Sequence, residues 1–304
     1  MVHIFIVNPY AGKKTFADDL RNKLKNIRNL NYFVFNTRYA GYEMELIRKI
    51  QRIFDGEKLR FYCCGGSGTM RNILNGFDNL RDVEVAFFPC GLSNDFLKVF
   101  GDSEKRFYQI EELINGDVIE VDYIKTNYGI ALNTVSTGLD SHSQTKMEDY
   151  RILTIFGREL PYTFSLLSAL LFSKNNRYKI TIDDKEEVTD EFTELFFGNG
   201  YVLGGSLNFD NDACVNDGKG VFSLVYGCKN FKRFSLILAV ADKNFKKADK
   251  QMRRGYCEKI RIQREDGSPF VINHDGELTQ DVNVLEAQII KKGLRLVVPK
   301  GVTI

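Results

Sequence analysis

Apolar and polar positions in the first ninety residues fall into a repeating order of short apolar runs and amphipathic stretches. Val2–Val7 (VHIFIV), Asn31–Asn36 (NYFVFN), Leu59–Cys64 (LRFYCC) and Val83–Phe88 (VEVAFF) are nearly continuous apolar runs of strand length. That is the pattern of strands covered on both faces. Between them, Phe16–Ile27 and Glu43–Phe54 carry helical spacing, and Met70–Gly76 opens a further helix. Strands alternating with helices predict an α/β domain with an open, mostly parallel sheet. Three of the runs end in turn-forming clusters: Asn8-Pro9-Tyr10-Ala11-Gly12, Gly65-Gly66-Ser67-Gly68-Thr69 and Pro89-Cys90-Gly91-Leu92-Ser93-Asn94-Asp95. In an open parallel sheet such turns share the carboxyl edge and converge on one crevice.

The texture changes after about Asp122. Tyr123–Leu132, Tyr178–Ile182, Glu194–Gly198, Gly220–Val225, Lys259–Gln263 and Phe270–Asn273 are short strand candidates separated by Gly, Asn and Asp. They predict a mainly β sandwich domain with a helical insertion at Tyr162–Leu171. The last run, Leu294–Val298, can pair with either domain. The expected division is therefore 1–123, completed by 290–304 if that strand joins it, and 124–289.

Composition narrows the picture. Of 304 residues, 43% are hydrophobic and 27% charged, the balance of a soluble globular chain. The 42 Lys and Arg against 40 Asp and Glu leave +2, so a polycation that binds nucleic acid by bulk charge is not expected. The longest apolar run, Phe164–Phe172, falls short of the ~20 residues a spanning helix needs. The chain starts directly on a strand instead of a basic-then-apolar leader, which fits a cytoplasmic protein. None of the cysteines forms a CxxC pair, and Cys63–Cys64 sit inside an apolar run, so reduced, buried thiols are expected. His3, His142 and His274 stand at no zinc spacing.

Charge is nonetheless uneven. Lys229–Arg264 holds twelve Lys and Arg against Asp242, Asp249 and Glu258, a local +9. This is either a solvated helix face or a patch that meets anionic lipid headgroups. Its few interleaved aromatics, Phe231, Phe234, Phe245 and Tyr256, do not make a nucleic-acid stacking surface.

A strand running into Gly65–Thr69 and then a helix suits a phosphate, because glycines admit the backbone closely and helix-start N–H groups meet an anion. The motif series goes further. Asn8-Pro9-Tyr10-Ala11-Gly12 resembles the NPxSG-type opening of the bacterial diacylglycerol kinase and lipid kinase family, relatives of sphingosine kinases and, distantly, NAD kinases. Gly65–Gly76 (GGSGTMRNILNG) is similar to that family's GGDGTxxExxNG, and Pro89–Lys98 (PCGLSNDFLK) to its PxGTxNDFAR. Phe197-Gly198-Asn199-Gly200 with Gly204-Gly205, then Asp217-Gly218, then His274-Asp275-Gly276-Glu277 follow in the family's order.

The resemblance implies an ATP-dependent lipid kinase of phospholipid biosynthesis, acting on a diacylglycerol-like alcohol while transiently visiting an anionic membrane surface. It implies that Asn8, Pro9, Tyr10, Ala11, Gly12, Thr37, Gly65, Gly66, Ser67, Gly68, Thr69, Met70, Arg71, Asn72, Leu92, Ser93 and Asn94 line the nucleotide. It implies that Asp275 or Glu277 takes the hydroxyl proton. Mg²⁺ would fall to Asp217 with Cys214 and Lys219 of its loop, and to a water network at Asp95 and Asp122. The resemblance leaves a homodimer open.

The departures are chemical. Ser67 stands in place of the motif acid, Asn72 in place of a glutamate and Leu92 in place of a threonine. A hydroxyl cannot replace a carboxylate as a charge partner for Mg²⁺. A catalytically weakened nucleotide- or lipid-binding relative, and an NAD kinase-like small-molecule kinase, are the alternative readings.

Overall fold

The computed structural model describes residues 1–12, 15–90, 94–147, 149–150, 152, 160–203, 207–210 and 213–304, with the backbone alone at 160–163 and 230. The chain forms two compact units, Met1–Tyr123 with Lys291–Ile304, and Ile124–Ile290.

In the first unit, strands β1 (Val2–Val7), β2 (Tyr32–Asn36), β3 (Leu59–Gly65) and β4 (Glu84–Pro89) alternate with helices α1 (Phe16–Lys25), α2 (Tyr42–Ile53) and α3 (Ser67–Leu74). A 3-10 segment (Asp95–Tyr108) and α4 (Ile110–Ile114) lead into β5 (Asp117–Thr126). The sheet order β2-β1-β3-β4 is parallel throughout. β1 lies between its two successors β2 and β3, so the chain reverses direction across the sheet there. This is where doubly wound folds open a crevice. Both faces of β3 and β4 are buried, which explains their nearly unbroken apolar runs. Helix α1 turns only Leu20 and Leu24 inward, and α2 buries Leu46, Ile47 and Ile50, the i, i+3, i+4 stripe of a one-sided helix. Leu294–Val298 joins this unit: Arg295, Leu296 and Val297 pair in parallel with Glu84, Val85 and Ala86.

In the second unit the predicted strand Tyr123–Leu132 is a hairpin instead, the end of β5 and β6 (Gly129–Ala131) turning at Asn127-Tyr128. It continues through β7 (Thr134–Gly138), α5 (Leu139–Met147), α6 (Leu160–Phe172), β8 (Asn176–Ile182) and β9 (Glu186–Gly198). Short strands β10 (Val202–Leu203) and β11 (Leu207–Asn208) precede β12 (Gly220–Tyr226), α7 (Asn230–Ala241), α8 (Phe245–Ala248) and β13 (Met252–Cys257). Last come β14 (Lys259–Arg264), β15 (Phe270–His274), β16 (Glu277–Val282) and β17 (Val284–Val298), whose end is the strand of the first unit.

Strand β9 serves two antiparallel sheets. Residues 186–192 pair with β8, which continues to β14 and β17. Residues 194–198 lie between β7 and β12, with β15 and β16 beyond β7 and β13 beyond β12. Burial follows: Glu186–Glu191 is mostly exposed, whereas Phe192–Gly198 is buried on both faces. Ile180, Ile260, Ile262 and Leu285 of one sheet share a core with Val135, Leu195, Phe197, Leu224 and Ile272 of the other. The expected α/β domain and β sandwich are both present.

Candidate functional site

The three turns at the carboxyl edge of the parallel sheet are tied together by short backbone bonds. Asn8 N–H donates to Cys64 O at 3.0 Å, Thr37 N–H to Val7 O at 2.8 Å, and Cys90 N–H to Gly65 O at 3.0 Å. Asn8 Nδ2 donates to Thr69 Oγ1 at 3.0 Å, while its Oδ1 accepts from Tyr10 N–H at 3.0 Å. Gly12 adopts φ +74°, and a Cβ there would stand 2.6 Å from Cys90 O, so only glycine lets the first turn close on the third. A Cβ on Gly65 would meet the Thr69 side chain at 2.5 Å.

Helix α3 begins directly at this junction. Its N-cap is Gly66, and no side chain caps the first turn. The first-turn N–H groups and the positive end of the helix dipole therefore lie at this edge. The neighbouring side chains are Asn8, Ser67 and Thr69, all neutral. Arg71 Nη1 reaches Asn72 Oδ1 at 3.3 Å, and its Nε has no hydrogen-bond partner among the described residues. Met70 is buried in the core, so it offers this edge backbone only, and Tyr10 is exposed. Asn94 is buried and donates to Tyr108 Oη at 3.2 Å. Leu92 and Ser93 lie outside the described residues, as do Gly204 and Gly205. The thiols here are inert: burial pushes Cys90 up to about 12, and Cys63 and Cys64 are raised for the same reason.

In the second unit the structure separates the two acids of the His274–Glu277 turn. Asp275 takes a left-handed conformation, φ 48°, followed by Gly276 at φ 91°. Its buried carboxylate accepts three backbone N–H groups: Leu132 at 2.6 Å, Asn133 at 3.0 Å and Thr134 at 2.8 Å. A carboxylate so saturated is a structural anchor for β6 and β7. Glu277, two residues on, is exposed and has no side-chain partner among the described residues. Behind the turn, Asn273 Oδ1 accepts from Gly276 N–H at 2.8 Å, and its Nδ2 donates to Asp140 Oδ2 at 2.6 Å.

Asp140 belongs to a buried acid pair. It accepts from Ser136 Oγ at 2.7 Å, and its N–H donates to Glu194 Oε2 at 2.9 Å. Burial raises the Asp140 carboxyl against the hydrogen bonds from Ser136 and Asn273. Burial, then the Asp140 charge, push Glu194 well above the usual carboxylate range. Glu194 Oε1 has no hydrogen-bond partner among the described residues.

The candidate metal residues are dispersed. Asp95 opens the 3-10 segment. Asp122, fully buried on β5, accepts from Lys292 N–H at 2.6 Å. Asp217 is exposed and accepts from Lys219 N–H at 2.9 Å within its own loop, where Cys214 Sγ donates to Asn216 Oδ1 at 3.0 Å. Among the described residues no three His, Cys, Asp or Glu side chains are placed to share an ion. The donors present do not form a protein cage for Mg²⁺.

A family model described as the diacylglycerol kinase catalytic domain matches residues 3–126. A second, the YegS C-terminal NAD kinase beta sandwich-like domain, matches residues 133–299, more than half the chain. The chain belongs to the diacylglycerol kinase and lipid kinase family. Similar family members include "Putative lipid kinase YtlR" of Bacillus subtilis (strain 168), 27% identical over 64% of this chain and 66% of that protein. Another is "Putative lipid kinase SAS0691" of Staphylococcus aureus (strain MSSA476), 31% identical over 52% and 51%. These alignments thus span about half to two thirds of the relatives' lengths. Two Bacillus anthracis str. Sterne structures share the fold. One is titled as a putative diacylglycerol kinase, with TM-score 0.73 and 22% identity over 99% of this chain and 96% of that one. The other is titled as a diacylglycerol kinase, with TM-score 0.68 and 19% identity over 99% and 98%.

Sequence reasoning missed Asn133 and placed Asn199 only within the Gly198–Gly200 motif, without the role the structure gives it. Asn133 and Asn199 are both buried: Asn199 Nδ2 donates to Leu132 O at 3.0 Å, and Asn133 Nδ2 to Val202 O at 2.9 Å. Their signal was an asparagine following apolar strand residues on each side, ALN and FGN. Asp140 and Glu194 had no such signal, because nothing local marks an acid for burial.

Proposed function

We propose that this chain is an ATP-dependent kinase that transfers a phosphoryl group to the hydroxyl of a diacylglycerol-like lipid, with Glu277 as general base. The observation that carries the assignment is the unequal state of the two acids in one turn. Asp275 is saturated by three backbone donors, whereas the Glu277 carboxylate is open to a substrate proton. A base must be within hydrogen-bond reach of the proton it removes, and of these two acids Glu277 is the one exposed and not engaged by backbone donors among the described residues. Asp275 then acts as a positioning residue.

The first unit supplies the phosphate side of the reaction. Phosphoryl transfer needs little covalent help from protein beyond positioning and charge stabilisation. The uncapped start of α3, with Asn8, Thr69 and Arg71 beside it and no acidic residue in its first turn, offers donors for phosphate oxygens. A divalent cation, when bound, neutralises phosphate oxygens and orients them. The alcohol is assigned to the second unit because Glu277 lies there.

Purified protein supplied with ATP, Mg²⁺ and detergent-dispersed diacylglycerol, monoacylglycerol and sphingoid base tests this reading. It should phosphorylate at least one of these lipids. Glu277→Gln should lower kcat by about 10² or more with melting temperature and ATP affinity unchanged. Asp275→Asn should lower the melting temperature as well, because an amide N–H₂ would face backbone donors. Phosphorylation of NAD and of no lipid would replace the reading with a nucleotide kinase. ATP binding without transfer to any acceptor would make the chain a binding relative.

A further inference from the structure

The turn that carries Glu277 is a two-residue hairpin between β15 and β16, with His274 paired to Glu277. Its central residues, Asp275 and Gly276, take φ 48° and φ 91°, the left-handed pair of a type I′ turn. Their N–H groups lie outside the strand ladder and find acceptors elsewhere. Asp275 N–H donates to Thr134 O at 3.1 Å, and Gly276 N–H donates to Asn273 Oδ1 at 2.8 Å. The Asp275 side is also fixed by the three backbone donors on its carboxylate. Gly276, which leads into Glu277, is a glycine with wide conformational freedom. Its orientation therefore rests on the bond to Asn273.

The Asn273 amide can hold Gly276 in one orientation. Its Nδ2 donates to Asp140 Oδ2 at 2.6 Å, which leaves Oδ1 for the Gly276 N–H. A carboxylate oxygen accepts and an amide NH₂ donates, so Asp140 decides which end of the amide faces the turn. Turned over, the amide would set its NH₂ against the Gly276 N–H and its oxygen against the Asp140 carboxylate. Both contacts would be repulsive, and Asn273 and Asp140 are buried, where no water can replace the lost partners.

Asp140 is itself held in place. It stands in the first turn of α5, where Ser136 Oγ donates to the same Oδ2 at 2.7 Å. Its own N–H donates to Glu194 Oε2 at 2.9 Å. Ser136 lies directly opposite Asn273 in the antiparallel pairing of β7 and β15, so two cross-strand neighbours converge on one carboxylate oxygen. Ser136, Asp140, Glu194 and Asn273 are all buried. An acid at this depth is tolerated because donors are aimed at it. The result is a rigid arm that runs from α5 through Asn273 to the hairpin loop.

We propose that Asp140 is a positioning residue for phosphoryl transfer: through Asn273 it sets the peptide that leads into Glu277 and so aims that carboxylate. The inference rests on the reading of Glu277 as the base. It adds a residue of α5 to a turn built by β15 and β16. A reacting group displaced by about an ångström loses on the order of a hundredfold in rate, while substrate binding is left intact. The arm therefore acts on kcat and not on KM.

Amide hydrogen exchange on the full chain reads the turn without turnover. In Asp140→Leu and in Asn273→Ala the Gly276 N–H should exchange about tenfold faster than in the parent. Asp140→Asn keeps an oxygen for Asn273 and should recover most of the protection. Asp140→Ala takes the place of the leucine variant should leucine prevent folding. With ATP, Mg²⁺ and detergent-dispersed diacylglycerol, both disruptive variants should lower kcat about tenfold to a hundredfold at unchanged KM. Their combination should lose no more than either alone, because both remove the same arm, and Asp140→Asn should regain most of the rate. Parent-like Gly276 exchange in the disruptive variants, or losses that add in the double variant, would overturn the inference. So would a parent kcat in the disruptive variants when Glu277→Gln is slow. A parent kcat in Glu277→Gln would overturn the base reading instead, and the exchange result then decides the arm by itself.

Discussion

Ser67 shows how one side chain sets the charge of a site. It opens α3 where the family motif carries an acid, and its hydroxyl leaves the uncapped helix start with its positive field undiminished. Restoring the acid places a full negative charge beside any bound phosphate, a repulsion of at least about 1 kcal/mol at contact distance. Ser67→Asp should therefore weaken ATP binding about fivefold or more without Mg²⁺ and regain it when Mg²⁺ is added, read by titration calorimetry. Equal affinity in metal-free buffer would mean that the phosphates bind elsewhere. The identity of this position was legible in the sequence because the motif is contiguous. The roles of Asp275 and Glu277 were not. Two acids two residues apart read alike until the left-handed turn gives one of them three N–H donors from residues 132–134, more than a hundred and forty positions away.

At the scale of elements, the strand runs Leu59–Cys64 and Val83–Phe88 each carried one charge that their apolar pattern did not explain. The parallel register sets Arg60 opposite Glu84 and Glu84 opposite Arg295. Arg60 Nε donates to Glu84 Oε2 at 2.8 Å, with both residues buried, and Arg295 Nη2 reaches Oε1 at 3.1 Å. Arg60 Nη1 also takes the carbonyls of Leu113 and Ile114 at 3.3 and 3.1 Å, closing the end of α4. Burial alone would raise the Glu84 carboxyl, but Arg60 and Lys58 hold it below its ordinary range. Removing one member of a buried pair costs about 3–5 kcal/mol because the other charge is left uncompensated. Glu84→Gln should lower chemical-denaturation stability by about that much. ATP affinity should persist, since the pair lies at the strand ends opposite the turns. A loss of ATP affinity at full stability would contradict this division of the sheet.

At the scale of the whole molecule, the buried acid pair inside the second unit makes stability depend on pH. The folded-state pKa of Glu194 is raised by burial and by Asp140, so the folded protein holds a proton that the unfolded chain releases above about pH 4.3. The stability associated with that proton is full below this value and is lost as pH rises toward the folded pKa. Thermal melting should consequently fall as pH rises above that value. Glu194→Gln should flatten the fall and melt higher than the parent at the alkaline end. Identical profiles would show that Glu194 is not protonated in the fold. What the sequence by itself determined was the set of features written in local periodicity and contiguous motifs: the parallel strands, the carboxyl-edge turns, the change to a β domain and the family. Only the tertiary structure decided which unit Leu294–Val298 completes, how β9 passes between two sheets, and which acid of the late turn is exposed. Those outcomes depend on partners far apart in the chain, and a side chain's burial and charge state are set by what folds against it.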